Sequence, residues 1–388
     1  MRLSDGAADL VRLLRAAGPL TRAEIGVRTG WARATVNSRL DEVLEHRLVA
    51  EAGSENGARG RPAARFEFRS DAGTLLIADV GASAARLAQC DLGGRILAQS
   101  QVPVVIGAGP EPVLDAVTEA LDTLPSRAAA ARPWAAAISL PGPVEQPNGR
   151  IVSPPIMTGW DGLEVPAVLG PRLGVPLLVE NDANAMAWGE HTVSGYADLV
   201  LVKVGTGVGA GIVANGSILR GARGAAGDLG HTYAPADEAD VPLCRCGKAG
   251  CVEAYAGGWA IARDLTAEGL DVESVGDVTA LLTAGEPRAI ARVRAAGRVL
   301  GASLAQTVSL LNPSEIVVAG QLAVAGEHLL SGIREHVAAR SLPLATRSLS
   351  IRTSERPNEV GVTGLADQAI RWALEPERLG EVLERAGG

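Results

Sequence analysis

The sequence predicts an α/β protein that begins with a winged helix-turn-helix, and three observations carry that prediction. Three short helical stripes followed by two alternating segments fill the first seventy residues. From Leu75 onward, strands alternate with helices. Two glycine-rich turns each join a pair of those strands.

In the first segment, Asp5 to Ala17 places Leu10, Val11, Leu13 and Leu14 on one helical stripe that ends at Gly18-Pro19. Thr21 then caps a second helix, with Glu24 three residues later completing a capping box, and Gly30 ends it. A third helix, about Ala32 to His46, buries Val36, Leu40, Val43 and Leu44. Ala32 offers no capping oxygen, so the start of this helix is weakly fixed. Arg33, Thr35, Asn37 and Ser38 point outward with groups that can hydrogen-bond bases or phosphates. Leu48-Val49-Ala50 and Arg65-Phe66-Glu67-Phe68 alternate as the strands of a wing, and Arg59 and Arg61 at its tip suit a narrow minor groove. The alternative for these helices is a three-helix protein-interaction module; the wing argues against it.

Charge separates the two parts. Residues 1–70 hold twelve arginines, no lysine and nine acidic residues, a balance of +3, whereas the whole chain of 388 residues carries −8. A basic arm on an acidic body suits a DNA reader whose larger part does something else. The chain is long enough for two or three domains, and 47% apolar residues supply substantial cores. No apolar run reaches the roughly 18 residues of a membrane span, and Asp5, Asp9, Arg12 and Arg15 break any signal-peptide layout. A cytoplasmic protein with no membrane partner is expected.

The body opens with three strands, Leu75–Asp79, Arg86–Asp91 and Ile96–Val104. The turn after the first, Gly81-Ala82-Ser83, can offer backbone N–H groups to phosphate, and Asp79 could hold magnesium through water. The strand Leu199–Val204 leads into Gly205-Thr206-Gly207-Val208-Gly209-Ala210-Gly211 and a further strand, Ile212-Val213-Ala214. Four glycines in seven residues let a backbone approach a ligand closely. Two such hairpins facing each other grip the nucleotide in actin-like ATPases; a merely structural hairpin is the alternative. Between them Asn181-Asp182 stands where a strand meets a helix, and Asp182 could accept a proton from a substrate hydroxyl. His231 with Cys244, Cys246 and Cys251 supplies three thiolates and an imidazole, the donor set of a closed structural zinc site. The fourth cysteine, Cys90, reads as a buried structural thiol.

The order of the glycine hairpin, Asn181-Asp182-Ala183-Asn184, the Gly205–Gly211 loop, Ala226-Gly227-Asp228-Leu229-Gly230-His231 and Cys244–Glu253 resembles the ROK family of bacterial repressors, open reading frames and kinases. Ile138–Pro143 and Leu311–Gly320 add to the likeness, which covers about residues 71–388. The reader at the N-terminus resembles that of the family's repressor branch. The resemblance implies two ribonuclease-H-like lobes of the actin-like ATPase, sugar kinase-like kind, with a helix near 363–374 returning to the first lobe. The implied division is a DNA-binding domain over 1–70 and a sensor over 71–388. Its first lobe would span about 71–185 plus that helix, and its second about 186–362. It implies His231, Cys244, Cys246 and Cys251 as zinc ligands, and Asn181, Asp182, Asp228, His231 and Glu253 as sugar contacts. Asp182 matches the catalytic base of the kinases. Gly81, Ala82, Ser83, Gly205, Thr206, Gly207 and Gly209 would face nucleotide phosphates.

Two residues depart from the kinase pattern. Ala82 stands where the kinases have glycine, and its Cβ narrows the approach of phosphate. Asp228 stands where they have glutamate. Phosphoryl transfer depends on positioning, so either change can leave sugar binding usable while weakening catalysis. The expected function is therefore a sugar-responsive, zinc-containing repressor of carbohydrate genes that binds operator DNA, as a homodimer or higher oligomer. The alternative is an ATP- and Mg2+-dependent sugar kinase acting through Asp182, alone or alongside regulation.

Overall fold

The computed structural model describes residues 4–55, 63–124, 132–234 and 241–387. In the reader, α1 (Asp5–Ala17) is capped by the Ser4 hydroxyl and buries Leu10, Val11 and Leu14. Strand β1 (Leu20–Thr21) precedes α2 (Arg22–Thr29), whose Thr21–Glu24 capping box is formed and whose end is a left-handed Gly30. Helix α3 (Arg33–Glu45) starts at Ala32 without a side-chain cap. Strands β2 (Val49–Glu55) and β3 (Ala63–Phe68) pair antiparallel. The sequence reading did not foresee β1, which adds to β3 and makes a three-stranded sheet in the order β1-β3-β2.

The body holds two five-stranded sheets of one design. In the first, β4 (Thr74–Val80), β5 (Ala84–Asp91) and β6 (Ile96–Pro103) form an antiparallel meander. Helix α4 (Pro110–Asp122) leads to β7 (Pro133–Leu140), parallel to β4. A small hairpin, β8 (Val144–Glu145) and β9 (Arg150–Ile151), and α5 (Val165–Leu173) precede β10 (Leu177–Asn181), parallel to β7. Helix α6 (Asp182–Ser194) follows directly.

The second sheet repeats the plan. Strands β11 (Leu199–Val204), β12 (Val208–Ala214) and β13 (Ser217–Ile218) form the meander. Helices α7 (Glu253–Ala256), α8 (Gly258–Ala267), α9 (Val275–Thr283) and α10 (Pro287–Leu311) come before β14 (Glu315–Ala319). Helices α11 (Glu327–Arg340) and α12 (Pro343–Thr346) then lead to β15 (Ser350–Thr353). Strands β14 and β15 are parallel to β11. The orders β10-β7-β4-β5-β6 and β15-β14-β11-β12-β13 match strand for strand, which is the doubled ribonuclease-H-like arrangement. Helix α13 (Val360–Ala373) crosses back to pack on α6, β4 and β7, and α14 (Pro376–Gly387) reaches α1.

The reader is not a bead on a string. One apolar core runs from Leu10, Leu14, Ile25 and Phe66 through Leu75, Ile77 and Cys90 to Leu365, Ile370, Leu379 and Val382. Each such large side chain contributes roughly 1.5–3 kcal/mol by leaving water. Burial pushes the Cys90 thiol up to about 12, helped by the charge of Asp91, so it stays an inert thiol. Among the described residues no helix is long and apolar enough to cross a membrane.

Candidate functional site

A cavity of about 530 Å³ opens between the two sheets, where the matching hairpins β4–β5 and β11–β12 face each other. It is lined by Gly81, Ala82 and Ser83, by Asn181 and Asp182, by Gly205, Thr206, Gly207 and Gly209, and by Asp228, His231 and Glu253. Residues from five separate stretches thus meet in one space.

Asn181 ends β10 and caps α6. Its side-chain oxygen accepts from the N–H groups of Ala183 and Asn184 at 3.0 and 3.2 Å, and its amide donates to the Gly142 carbonyl at 3.0 Å. Asp182, the first residue of α6, is buried and ion-paired with Lys203 of β11. Burial raises its carboxyl above the ordinary aspartate value; Lys203 opposes the rise and the charge of Asp79 adds to it. Asp79 accepts from the Ser139 hydroxyl at 2.7 Å and lies 3.9 Å from the Arg86 guanidinium, which also donates to Asn358 at 2.9 Å. The two carboxylates nearest the turns therefore already have cationic partners from the chain itself.

The turns differ from their sequence reading in two respects. In the first, the Gly81 N–H is not free for phosphate but donates to the Ala84 carbonyl at 2.8 Å. The carbonyls of Ala82 and Ser83 accept from Ile106 and Val104, both at 3.1 Å. In the second, the turn is only Gly205-Thr206-Gly207, because β12 begins at Val208 and Gly209 sits in the strand opposite Lys203. Close packing explains Gly211: a Cβ there would stand 2.2 Å from the Ala183 carbonyl of α6. Room for a helix, rather than for a ligand, accounts for that part of the pattern.

On the far side of the cavity, His231 ends a one-turn helix, Leu229–His231, with its Nδ1 3.6 Å from the Cys244 sulfur. The Cys246 and Cys251 sulfurs are 3.6 Å apart, and the four ligand atoms lie within 4.8 Å of one another. Zn–S bonds of about 2.3 Å in a tetrahedron give sulfur–sulfur edges of about 3.8 Å, so the cluster fits zinc. Glu253 fastens this loop to the second turn: one oxygen accepts from the Val208 N–H at 3.0 Å, the other from the Trp259 indole at 3.1 Å. Arg245, between two of the cysteines, stacks on Trp259 at 4.7 Å.

On the reader, Arg33, Thr35 and Ser38 of α3 are exposed. Asn37 is half-buried with its side-chain oxygen turned inward and unpartnered. Arg59 and Arg61 lie outside the described residues.

Sequence reasoning missed three cations around the cavity: Lys203, Arg86 and Arg220. Arg220, just after β13, donates to the buried Glu180 of β10 at 2.9 and 2.5 Å, and to Gln368 of α13 at 2.9 Å. The other Glu180 oxygen holds the Asn181 N–H at 2.9 Å, so this ion pair clasps the second sheet to the start of α6. Lys203 had left a trace: the chain has only two lysines, so one inside an otherwise apolar strand stood out.

The model of the ROK family matches residues 76–371. A crystal structure of a ROK family transcriptional regulator, a homologue of the Escherichia coli MLC protein, superposes with a TM-score of 0.80 at 26% identity, covering 98% of each chain. The putative xylose repressor of a Caldicellulosiruptor strain is 26% identical over 90% of this chain and 92% of its own. The glucokinase of Halalkalibacterium halodurans is 33% identical over 74% of this chain and 92% of its own. The family model spans most of the chain, and the chain belongs to the ROK family.

Proposed function

We propose that this chain is a sugar-responsive DNA-binding regulator, a repressor of carbohydrate-related genes whose sensor is the cavity between the two sheets. The observation that carries this reading is the continuous core joining the reader to β4 and α13, the strand and helix whose Asp79 and Gly361 meet at the edge of that cavity. A helix-turn-helix so fused is placed to feel what the cavity holds. The relatives matched over nine-tenths of this chain include xylose repressors, which points the same way.

In this reading residues 1–70 bind operator DNA, with Arg33, Thr35 and Ser38 on the groove-facing side and Arg59 and Arg61 at the wing tip. Residues 71–388 form the sensor. A sugar would hydrogen-bond to Asp182, Asp228, His231 and Glu253, with Asn181 shaping the wall. His231, Cys244, Cys246 and Cys251 would hold Zn2+, whose part is structural: it would fix the loop that presents His231 and, through Glu253, the second turn. A dimer would pair two readers on two half-sites.

A second reading, sugar kinase, is favoured by Asp182 in the cavity beside the Gly205–Gly207 turn and by the glucokinase relative. Against it stand the pairing of Asp182 with Lys203 and of Asp79 with Arg86 and Ser139. The Lys203 ammonium stabilises the charged carboxylate and so weakens Asp182 as a base, and Ser139 occupies one of the two Asp79 oxygens that a magnesium shell would use.

Purified protein should show a thermal shift with one or more members of a panel of pentoses, hexoses, N-acetyl sugars and their phosphates. That compound should change the affinity for a duplex selected by the chain from a random pool. No selected duplex, or affinity unmoved by every compound that binds, overturns the regulator. Turnover of ATP with a panel sugar, abolished by Asp182→Asn, would establish the kinase.

A further inference from the structure

Helix α6 begins at the cavity with Asp182, and helix α13 begins there too: a Cβ at Gly361 would stand 2.5 Å from the Asp79 carboxylate. The two helices touch backbone to backbone. A Cβ at Gly364 would lie 1.9 Å from the Ala185 carbonyl, and one at Gly189 equally close to that of Val360. Helices packed so tightly have no side-chain layer to shear, so they shift together.

Midway along, both helices meet one carboxylate. Asp367, two turns into α13, accepts the Trp188 indole N–H of α6 at 2.8 Å and the Arg371 guanidinium at 2.5 Å. Its other oxygen accepts from Arg15 of the reader helix α1 at 2.6 Å. Both Arg15 and Asp367 are largely covered, at 16% and 15% side-chain exposure, which shields the pair from salt. Burial alone would raise the Asp367 carboxyl, but Arg15 and then Arg371 hold it below the usual aspartate range, so it remains charged. Around this pair α1 lies on α14, and the chain crossing at Ser70 is tied by its carbonyl to the Leu92 N–H at 2.9 Å.

We propose that Asp367 is the joint through which the cavity sets the position of the reader: α6 and α13 move as one body and carry Arg15, and with it α1, along. The inference rests on the regulator reading and deepens it by naming the contact that transmits. The path is short. From Asp182 to Trp188, and from Gly361 to Asp367, six residues rise about 9 Å along each helix.

Hydrogen exchange of the full chain, with and without the duplex selected from a random pool, tests it from the DNA side. Linkage requires that DNA binding act back on the cavity. In the wild type, duplex should change exchange over 182–190 and 360–371 by about fivefold or more, the lower range of coupling between distant sites. Asp367→Asn keeps the size and an acceptor for Trp188; Arg15→Gln breaks the same contact from the other side. Each variant should still bind the duplex while the change at 182–190 disappears, and Arg15→Lys should restore part of it. A merely structural role would lower stability and leave the exchange response in place. The joint is overturned if both variants transmit the change as the wild type does, or if the wild-type change stops at residue 70. If no duplex is bound at all, the regulator reading falls, and the joint with it.

Discussion

On the side of the cavity next to the thiol loop, His231, Asp228 and Glu253 face the space from a scaffold whose donors fit a metal and whose carboxylate buckles the second turn. On the side of the first turn, Gly81 bonds within its own hairpin, and Asp79 is held by Ser139 and Arg86. Asp182, between the two sides, is held by Lys203. Beside the thiol loop both oxygens of Glu253 are bonded, to the Val208 N–H and the Trp259 indole; in the first turn the Gly81 N–H and the carbonyls of Ala82 and Ser83 are bonded. In the proposed reading sugar meets the first of these sides and phosphate would meet the second, so a chain can keep sugar binding while losing phosphoryl transfer.

The largest expected effect is at the thiol loop. Structural zinc contributes about 10 kcal/mol or more to folding in small peptides, so loss of one thiolate should be severe. Cys246→Ser should lose bound zinc, measured by metal analysis, and lose the sugar-induced thermal shift with it. Zinc content equal to that of the wild type would remove the loop from the account.

Between the two sides, Lys203→Met should cost about 3 kcal/mol in urea unfolding. That is the low end for breaking a buried pair, since Lys203 keeps 23% of its side-chain surface exposed. The pH dependence fixes the cause. Asp182 is an acid raised by folding, so its penalty is absent below its ordinary value of 3.8 and grows as pH rises toward its folded value. Without Lys203 that folded value rises further. The gap between variant and wild type should therefore open with rising pH and close in acid. A constant gap would mean that Lys203 acts by packing alone.

The smallest effect belongs to the first turn. Ala82→Gly removes the Cβ there yet leaves Asp79 bonded to Ser139 and close to Arg86. Calorimetry with Mg-ATP should show less than about a tenfold gain in affinity, which is about 1.4 kcal/mol. A larger gain would show that one methyl group had closed the site.

Local rules made the reader legible. The capping box at Thr21–Glu24, the stop at Gly30 and the uncapped start at Ala32 all stand as the sequence implies, because each depends on residues within four positions. The cavity was legible through its motifs, since their residue types survive without knowledge of what they touch. The two-residue strand β1 was not, because its partner β3 lies more than forty positions away. Lys203 with Asp182, Arg220 with Glu180, and Arg15 with Asp367 are separated by 21, 40 and 352 positions. Period and propensity carry no information about such pairs, which exist only once the two sheets face each other. Gly211 was illegible for the same reason: spacing alone does not say whether a ligand or a helix fills the room.

The contact of α14 with α1 bears on how such proteins can be recombined. Leu379 and Val382, near the C-terminus, complete the apolar floor on which Leu10 and Leu14 rest. A graft of residues 1–70 onto another sensor would leave that floor behind, exposing apolar surface on the donor piece. The transplantable unit is discontinuous: the reader together with residues 376–387.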